Sequence, residues 1–398
     1  MKTQRKAEPP NEAGPLQISA AVGKQQTWLI ARLKELVCAE SPSDNKAAVD
    51  AAVALVASWC RGLDSRVRLH PQKSHGDLLE ARFGPARSSD KPILLLGHLD
   101  TVWPLGTLKN MPFLVDEGSV EAARIWGPGV LDMKAGVAMA LTALKVLAQL
   151  NLLTRPIVLL LHSDEEIGSP VSRALTEETA SGCEAVFVLE PAQGVAGAYK
   201  TGRKGVGDYH LRVKGVGAHS GVDFAAGHSA ILELARLLQK ISGFTDLRRG
   251  ITVNPGVIGG GTRSNVVASE AWADVDVRIE NSKDAARVEK LFRSLRCRDE
   301  HCSLTITGGL NRPPMERKPG TVALFNRARN IASELGFALE EASTGGGSDG
   351  NFTAALGIPT LDGMGAVGEG AHAAHESLVL AHLAPRTALL AAMIASFK

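Results

Sequence analysis

PIVLLLHSDEEIGS, residues 156 to 169, decides how this chain is read. PIVLLLH is a continuous apolar run closed by His162. That is the pattern of a strand buried on both faces, not of one alternating between core and solvent. Directly after it the chain sets Asp164, Glu165 and Glu166 side by side. Three neighbouring carboxylates repel one another, so a compensating positive charge is expected close by.

The same texture recurs on either side. ILLLG (93 to 97) and EAVFVLE (184 to 190) read as further buried strands, and AGVAMALTALKVLAQL (135 to 150) between them reads as a helix. Apolar strands separated by helices predict an α/β fold with a mostly parallel sheet covered on both faces, an α/β/α arrangement. Residues from about 25 to 62 have a helical pattern. Residues 320 to 335 read as a helix, IPTLDG (358 to 363) as a short strand, and the chain from about 377 as a long helix. The first 15 or so residues, polar and proline-bearing, read as a loose arm.

Between 201 and 312 the texture changes. DYHLRVKG, HSAILELARLLQK, ITVNPGVIGG, NVVASEAWADVDVRI, DAARVEKLFRSL and SLTITGG follow one another in β-α-β-β-α-β order, the ferredoxin-like split motif. In AWADVDVRI, Ala273, Val275, Val277 and Ile279 alternate with Asp274, Asp276 and Arg278, so this sheet buries one face and wets the other. The predicted organisation is a catalytic domain in two parts, 1–200 and 313–398, interrupted by a compact inserted domain at 201–312.

Composition excludes several function classes. A chain of 398 residues with 44% hydrophobic and 22% charged residues is long enough for two or more cores. The net charge of +2 carries no Lys/Arg block, which argues against nucleic-acid or anionic-membrane partners. Its five cysteines are odd in number and scattered, with neither a disulfide framework nor a CxxC metal site. No signal-peptide apolar segment is visible, and no run reaches the ~18 apolar residues of a membrane helix. A soluble, cytoplasmic protein is expected.

Residues suited to metal chemistry sit after the apolar strands, where open α/β sheets place their ligand crevice. His98 and Asp100 follow ILLLG, Glu165 and Glu166 follow PIVLLLH, and Glu190 closes EAVFVLE. Asp132 lies in the glycine-rich GPGVLDMKAG, which leads into a helix. Taken singly, His-x-Asp is more often a loop hydrogen bond, and paired glutamates are more often solvated surface. TGGGSDGN (344 to 351) lacks the context of a phosphate loop. Recurrence at one end of the inferred sheet outweighs these readings. One imidazole with several carboxylates suits one or two divalent ions of the zinc type, whereas a calcium site would be richer in carbonyl oxygens and local in sequence.

GHLDTVW, GPGVLDMKAG, HSDEEIGS, LEP, GVGAHSG, GGTRSNVV, TGGGSDGN and GEGAHAAHES occur in that order. Over about residues 90 to 390 they resemble the co-catalytic zinc family that includes bacterial glutamate carboxypeptidases, aminoacylases and succinyl-diaminopimelate desuccinylase. The resemblance implies a zinc-binding α/β domain with an inserted ferredoxin-like dimerisation domain, and hence a homodimer. It implies two Zn2+ ions, with cobalt or manganese as alternatives. His98 and Glu190 would bind the first, Glu166 the second, and Asp132 would bridge both. The last ligand is His372 or His375, and a GAH followed four residues on by Glu376 favours His372. Asp100 would orient His98, and Glu165 would act as general base on a zinc-bridging water. His219 would reach the partner subunit's site and stabilise the oxyanion. Asn265, Arg278 and Arg312, with the backbone at Gly346 and Gly347, would contact substrate carboxylates. The implied reaction is cleavage of the amide before a C-terminal acidic residue in a small peptide. Hydrolysis of an N-acyl or N-succinyl amino acid is the alternative.

Overall fold

Ile157–His162 is a strand buried at every position. It lies parallel to Ile93–His98, which lies parallel to Ala185–Val188, with the short strand Thr360–Leu361 parallel at the edge. On the opposite side Leu78–Phe83 and Arg66–His70 add two antiparallel strands, completing a six-stranded mixed sheet. These descriptions come from a computed structural model that describes residues 13–116, 118 and 123–397. The expected N-terminal arm falls, as far as residue 12, outside the described residues.

The apolar runs are continuous because neither face of the sheet meets water. Leu95, Leu159, Leu161 and Phe187 join one core with residues of the helices Lys46–Gly62, Ala135–Gln149 and Leu380–Ala395. The intervening Leu94, Leu96, Val158, Leu160, Val186 and Val188 join a second core with Ala180 of the helix Arg173–Ser181. Register matters for the site. His98 pairs with His162 and Leu96 with Val188, so the loops that follow these three strands leave the sheet at one edge.

Two local expectations change. The helical stretch from 25 to 62 is broken into Gln26–Cys38 and Lys46–Gly62, the latter capped by the Asn45 side chain accepting from the Ala48 N–H at 3.1 Å. The segment from 377 begins as the strand Ser377–Val379, and the helix starts only at Leu380. Pairing with Arg124–Trp126 and with Gly368–Glu369 holds it extended and buries Leu378. That small sheet was not legible in advance, because strands of two or three residues carry no periodicity.

The fold divides into two compact units, one comprising Met1–Thr201, Arg317–Ala342 and Ser348–Lys398, the other Gly202–Glu316 and Ser343–Gly347. In the second unit Thr252–Gly260, Glu270–Ile279, Gly205–Lys214 and Ser303–Arg312 form one antiparallel sheet in that spatial order. The helices Ala230–Ser242 and Ala285–Arg293 alternate with them along the chain, giving the β-α-β-β-α-β sequence. Leu234, Leu237 and Phe292 from these helices meet Ala273, Val275 and Val277 in its core. Residues Ser343–Gly347 belong to this unit although they begin 31 residues beyond the predicted boundary at 312. Among the described residues no helix is long and apolar enough to cross a membrane, and all five cysteines are free thiols.

Candidate metal centre

His98 ends its strand fully buried. Its Nε2 lies 3.3 Å from Asp132 Oδ1 and 3.6 Å from Glu190 Oε1. His372 sits in the loop between the strands Gly368–Glu369 and Ser377–Val379. Its Nε2 lies 3.4 Å from Asp132 Oδ2 and 3.1 Å from Glu166 Oε2. Two triads result, His98–Asp132–Glu190 and Asp132–Glu166–His372, and in each the three ligand atoms lie within 4.8 Å of one another. Asp132 belongs to both and turns one oxygen to each imidazole.

The electrostatics fit a pair of divalent cations. His98 Nε2, Asp132 Oδ1 and Glu166 Oε1 are buried without a hydrogen-bond partner among the described residues. Buried polar atoms are costly unless something pairs with them, and these three converge on the triads. Burial disfavours charge on His98, yet Asp100, Asp132 and Glu190 overcome it and hold the imidazole's pKa well above its ordinary value. Asp132 and Glu166 raise His372 to about 10. Burial pushes the Glu166 carboxyl up, while the two imidazoles overcome burial at Asp132 and pull it down. Metal coordination would replace this proton-mediated pairing, and an imidazole–carboxylate donor set suits zinc.

The loops that carry the ligands are tied down by buried carboxylates. His98 Nδ1 faces the main-chain oxygen of Asp100 at 3.0 Å, with the Asp100 carboxylate farther away at 3.5 Å. The carboxylate itself accepts from Ser43 Oγ at 2.7 Å and from the backbone N–H groups of Glu165 and Glu166 at 3.3 and 3.2 Å. Asp100 therefore holds the Glu165–Glu166 turn as well as the imidazole. Asp164 accepts from the N–H groups of Val171 and Ser172 at 2.7 and 3.1 Å. The three adjacent carboxylates of the opening stretch thus diverge. Asp164 is bound by backbone, Glu166 joins a triad, and Glu165 lies in neither triad.

Glu376 is fully buried and accepts four hydrogen bonds. Leu131 and Asp132 N–H donate to Oε1 at 2.9 and 3.0 Å, and Gly129 N–H and Trp103 Nε1 donate to Oε2 at 2.9 and 2.8 Å. The turn they stabilise needs Gly129, whose φ is +69° and where a Cβ would lie 2.6 Å from Thr101 Cγ2. His375 is exposed and belongs to neither triad. The sequence singled out Glu376 only as a spacing marker, and Trp103 not at all. Its place in GHLDTVW, next to two site residues, was the available signal.

The remaining candidates lie on the second unit. His219 is exposed, and its Nδ1 accepts from the Gly221 N–H at 3.2 Å. It bridges to Val266, and the Ser220 N–H donates to the Asn265 carbonyl at 3.0 Å, so His219 and Asn265 share one exposed loop pair. Arg278 is engaged by its own strand, with Nε 3.0 Å from both Asp276 oxygens and Nη2 2.7 Å from Oδ2. Arg312 is buried, and a Cβ at Gly347 would meet its Cδ at 2.9 Å. Arg203, overlooked in the sequence, donates from Nη1 to the carbonyls of Gly346 and Gly347 at 3.2 and 2.9 Å and fixes that glycine loop.

The family model described as peptidase family M20/M25/M40 matches residues 94–396. Carboxypeptidase G2 of Pseudomonas sp. (strain RS-16) is 28% identical over 310 residues, covering 76% of this chain and 73% of that protein. The succinyl-diaminopimelate desuccinylase of Delftia acidovorans (strain DSM 14801 / SPH-1) is 27% identical over 318 residues, covering 75% of this chain and 79% of that one. In fold, the chain resembles aminopeptidase PepT from Bacillus cereus ATCC 10987 with a TM-score of 0.74 at 23% identity, over 93% of this chain and 98% of the other.

Proposed function

The chain belongs to peptidase family M20/M25/M40 and is a metal-dependent hydrolase; from that premise we propose that it is a dinuclear zinc exopeptidase cleaving the amide bond before a C-terminal acidic residue. The observation that carries this reading is the pair of triads sharing Asp132. His98 and Glu190 would hold one ion, Glu166 and His372 the other, and Asp132 both.

A bound divalent pair supplies the positive charge that acidifies water and polarises a carbonyl. Glu165, beside a ligand yet outside both triads, takes the proton from the attacking water and returns it to the leaving amine. Asp100 fixes the turn that presents it. Arg312 and the backbone at Gly346 and Gly347 bind the substrate's carboxylate, a task suited to a planar guanidinium. His219 acts in trans, in a homodimer formed through the inserted unit. Support for that interface comes from the edge strand Thr252–Gly260, where Val257 and Ile258 are 52% and 63% exposed.

A second reading is favoured by one observation. The bidentate hold of Asp276 on Arg278 offsets a charge that an acidic substrate side chain would otherwise meet. This favours an N-acyl- or N-succinyl-amino-acid amidohydrolase on the same core. Zinc-loaded protein assayed on N-acylated glutamate, aspartate, diaminopimelate and neutral amino acids separates the two. At least tenfold preference for acidic C-terminal residues supports the carboxypeptidase. Equal turnover of neutral ones gives the amidohydrolase.

A further inference from the structure

Glu376 is a buried carboxylate of the His372 loop that accepts from the Asp132 loop. Three of its four donors are backbone N–H groups of Gly129, Leu131 and Asp132, so it grips the turn that presents Asp132. It lies four residues after His372 in the same tight loop, where its own N–H donates to the Ala373 carbonyl at 2.9 Å and the Ala373 N–H donates to the Gly370 carbonyl at 2.8 Å. His372 is held there at a φ of +62°, a conformation that non-glycine residues seldom adopt. The fourth donor, Trp103 Nε1, ties in the segment after Asp100.

We propose that Glu376 is a positioning residue that sets the second metal position, by locking the Asp132 turn onto the His372 loop. The inference rests on the dinuclear reading of the site. The asymmetry follows from the ligand sets. Of the first triad, only Asp132 depends on Glu376, since His98 ends its strand and Glu190 follows Ala185–Val188 two residues on, both outside the Asp132 turn. Of the second, both Asp132 and His372 depend on it, and only Glu166 is held independently, by Asp100. A carboxylate is needed because all four groups facing it are donors. An amide would turn its NH2 against one pair of them and leave those N–H groups unpaired.

The test is zinc binding by calorimetry and metal analysis on wild-type, Glu376→Gln and Trp103→Phe proteins. Wild type should take up close to two equivalents; fewer would overturn the dinuclear reading itself. Glu376→Gln should bind the first equivalent within about threefold of wild type and the second at least tenfold more weakly. Trp103→Phe, which removes one donor of four, should shift the second equivalent in the same direction but by less. Melting temperatures without added metal separate positioning from general stability. A purely structural role lowers them and weakens both equivalents alike, which overturns the proposal, as does a Glu376→Gln protein that binds both equivalents as wild type does. If Glu376→Gln fails to fold, Trp103→Phe decides, and unchanged second-equivalent affinity in it defeats the inference.

Discussion

Glu165 and Glu166 are adjacent in the chain, and Glu166 lies 3.1 Å from His372 Nε2 in a triad that does not include Glu165. Side chains at consecutive positions in a tight turn diverge, so the pair can divide metal holding from proton transfer. Glu165→Gln keeps the size and cannot accept the proton. It should lower kcat at least ~100-fold while zinc content stays near wild type; unchanged turnover would remove Glu165 from the role. The choice between the two C-terminal histidines is tested in the same way. His372→Ala should lose about one equivalent of zinc from its triad, and His375→Ala should lose none. Protons complete the picture. His372 is raised to about 10, so its imidazole is protonated near neutrality until metal displaces the proton, and His98 is shifted in the same direction. Zinc uptake at pH 7 should release at least about one proton, and affinity should rise with pH. Calorimetry in two buffers of different ionisation enthalpy measures the release, and a heat independent of buffer contradicts it.

At the scale of elements, the sequence was legible wherever burial was uniform. ILLLG, PIVLLLH and EAVFVLE are strands because their residues divide between two cores, and His98, Glu166 and Glu190 follow from where those strands end. The alternation in Glu270–Ile279 was equally clear, since one face of that sheet packs against two helices. Three things were not legible. The strand Ser377–Val379 is set by its partners and not by its own pattern. Ser343–Gly347 is tied to the second unit by long-range contacts, among them Arg203 gripping the glycine carbonyls, that no local pattern announces. The role of the Asp100 carboxylate depends on loop geometry, as it faces two N–H groups and a hydroxyl as well as its neighbouring imidazole. The central strand also sets a stability expectation. Leu159 is fully buried between Leu95 and Ala81 on the neighbouring strands. Leu159→Ala should cost about 2–5 kcal/mol in denaturant unfolding, and a loss under ~1 kcal/mol would mean that this core repacks freely.

At the scale of the whole molecule, the proposed residues fall in two units that the chain visits in turn. The first holds both triads and Glu165, and the second carries His219, Asn265 and Arg312, whose part in the chemistry is the proposal to be tested. His219 is exposed, belongs to neither triad, and shares its loop pair with Asn265, so it is available to something outside its own unit. Ile231 and Leu232 on the helix Ala230–Ser242, and Val257 and Ile258 on the edge strand, are exposed apolar residues of the same unit. If His219 serves the partner's site, two inactive variants should complement each other. Mixing His219→Ala with Glu165→Gln subunits yields heterodimers in which one site keeps both groups and the other lacks both. With random exchange about half of the dimers are mixed, each with one working site of two, so activity should recover to about a quarter of wild type, given a symmetric dimer. Light scattering on wild type must first show the dimer, and tagged subunits must show that exchange occurs. Mixed subunits that exchange and stay inactive would place His219 in its own chain's site or outside catalysis altogether.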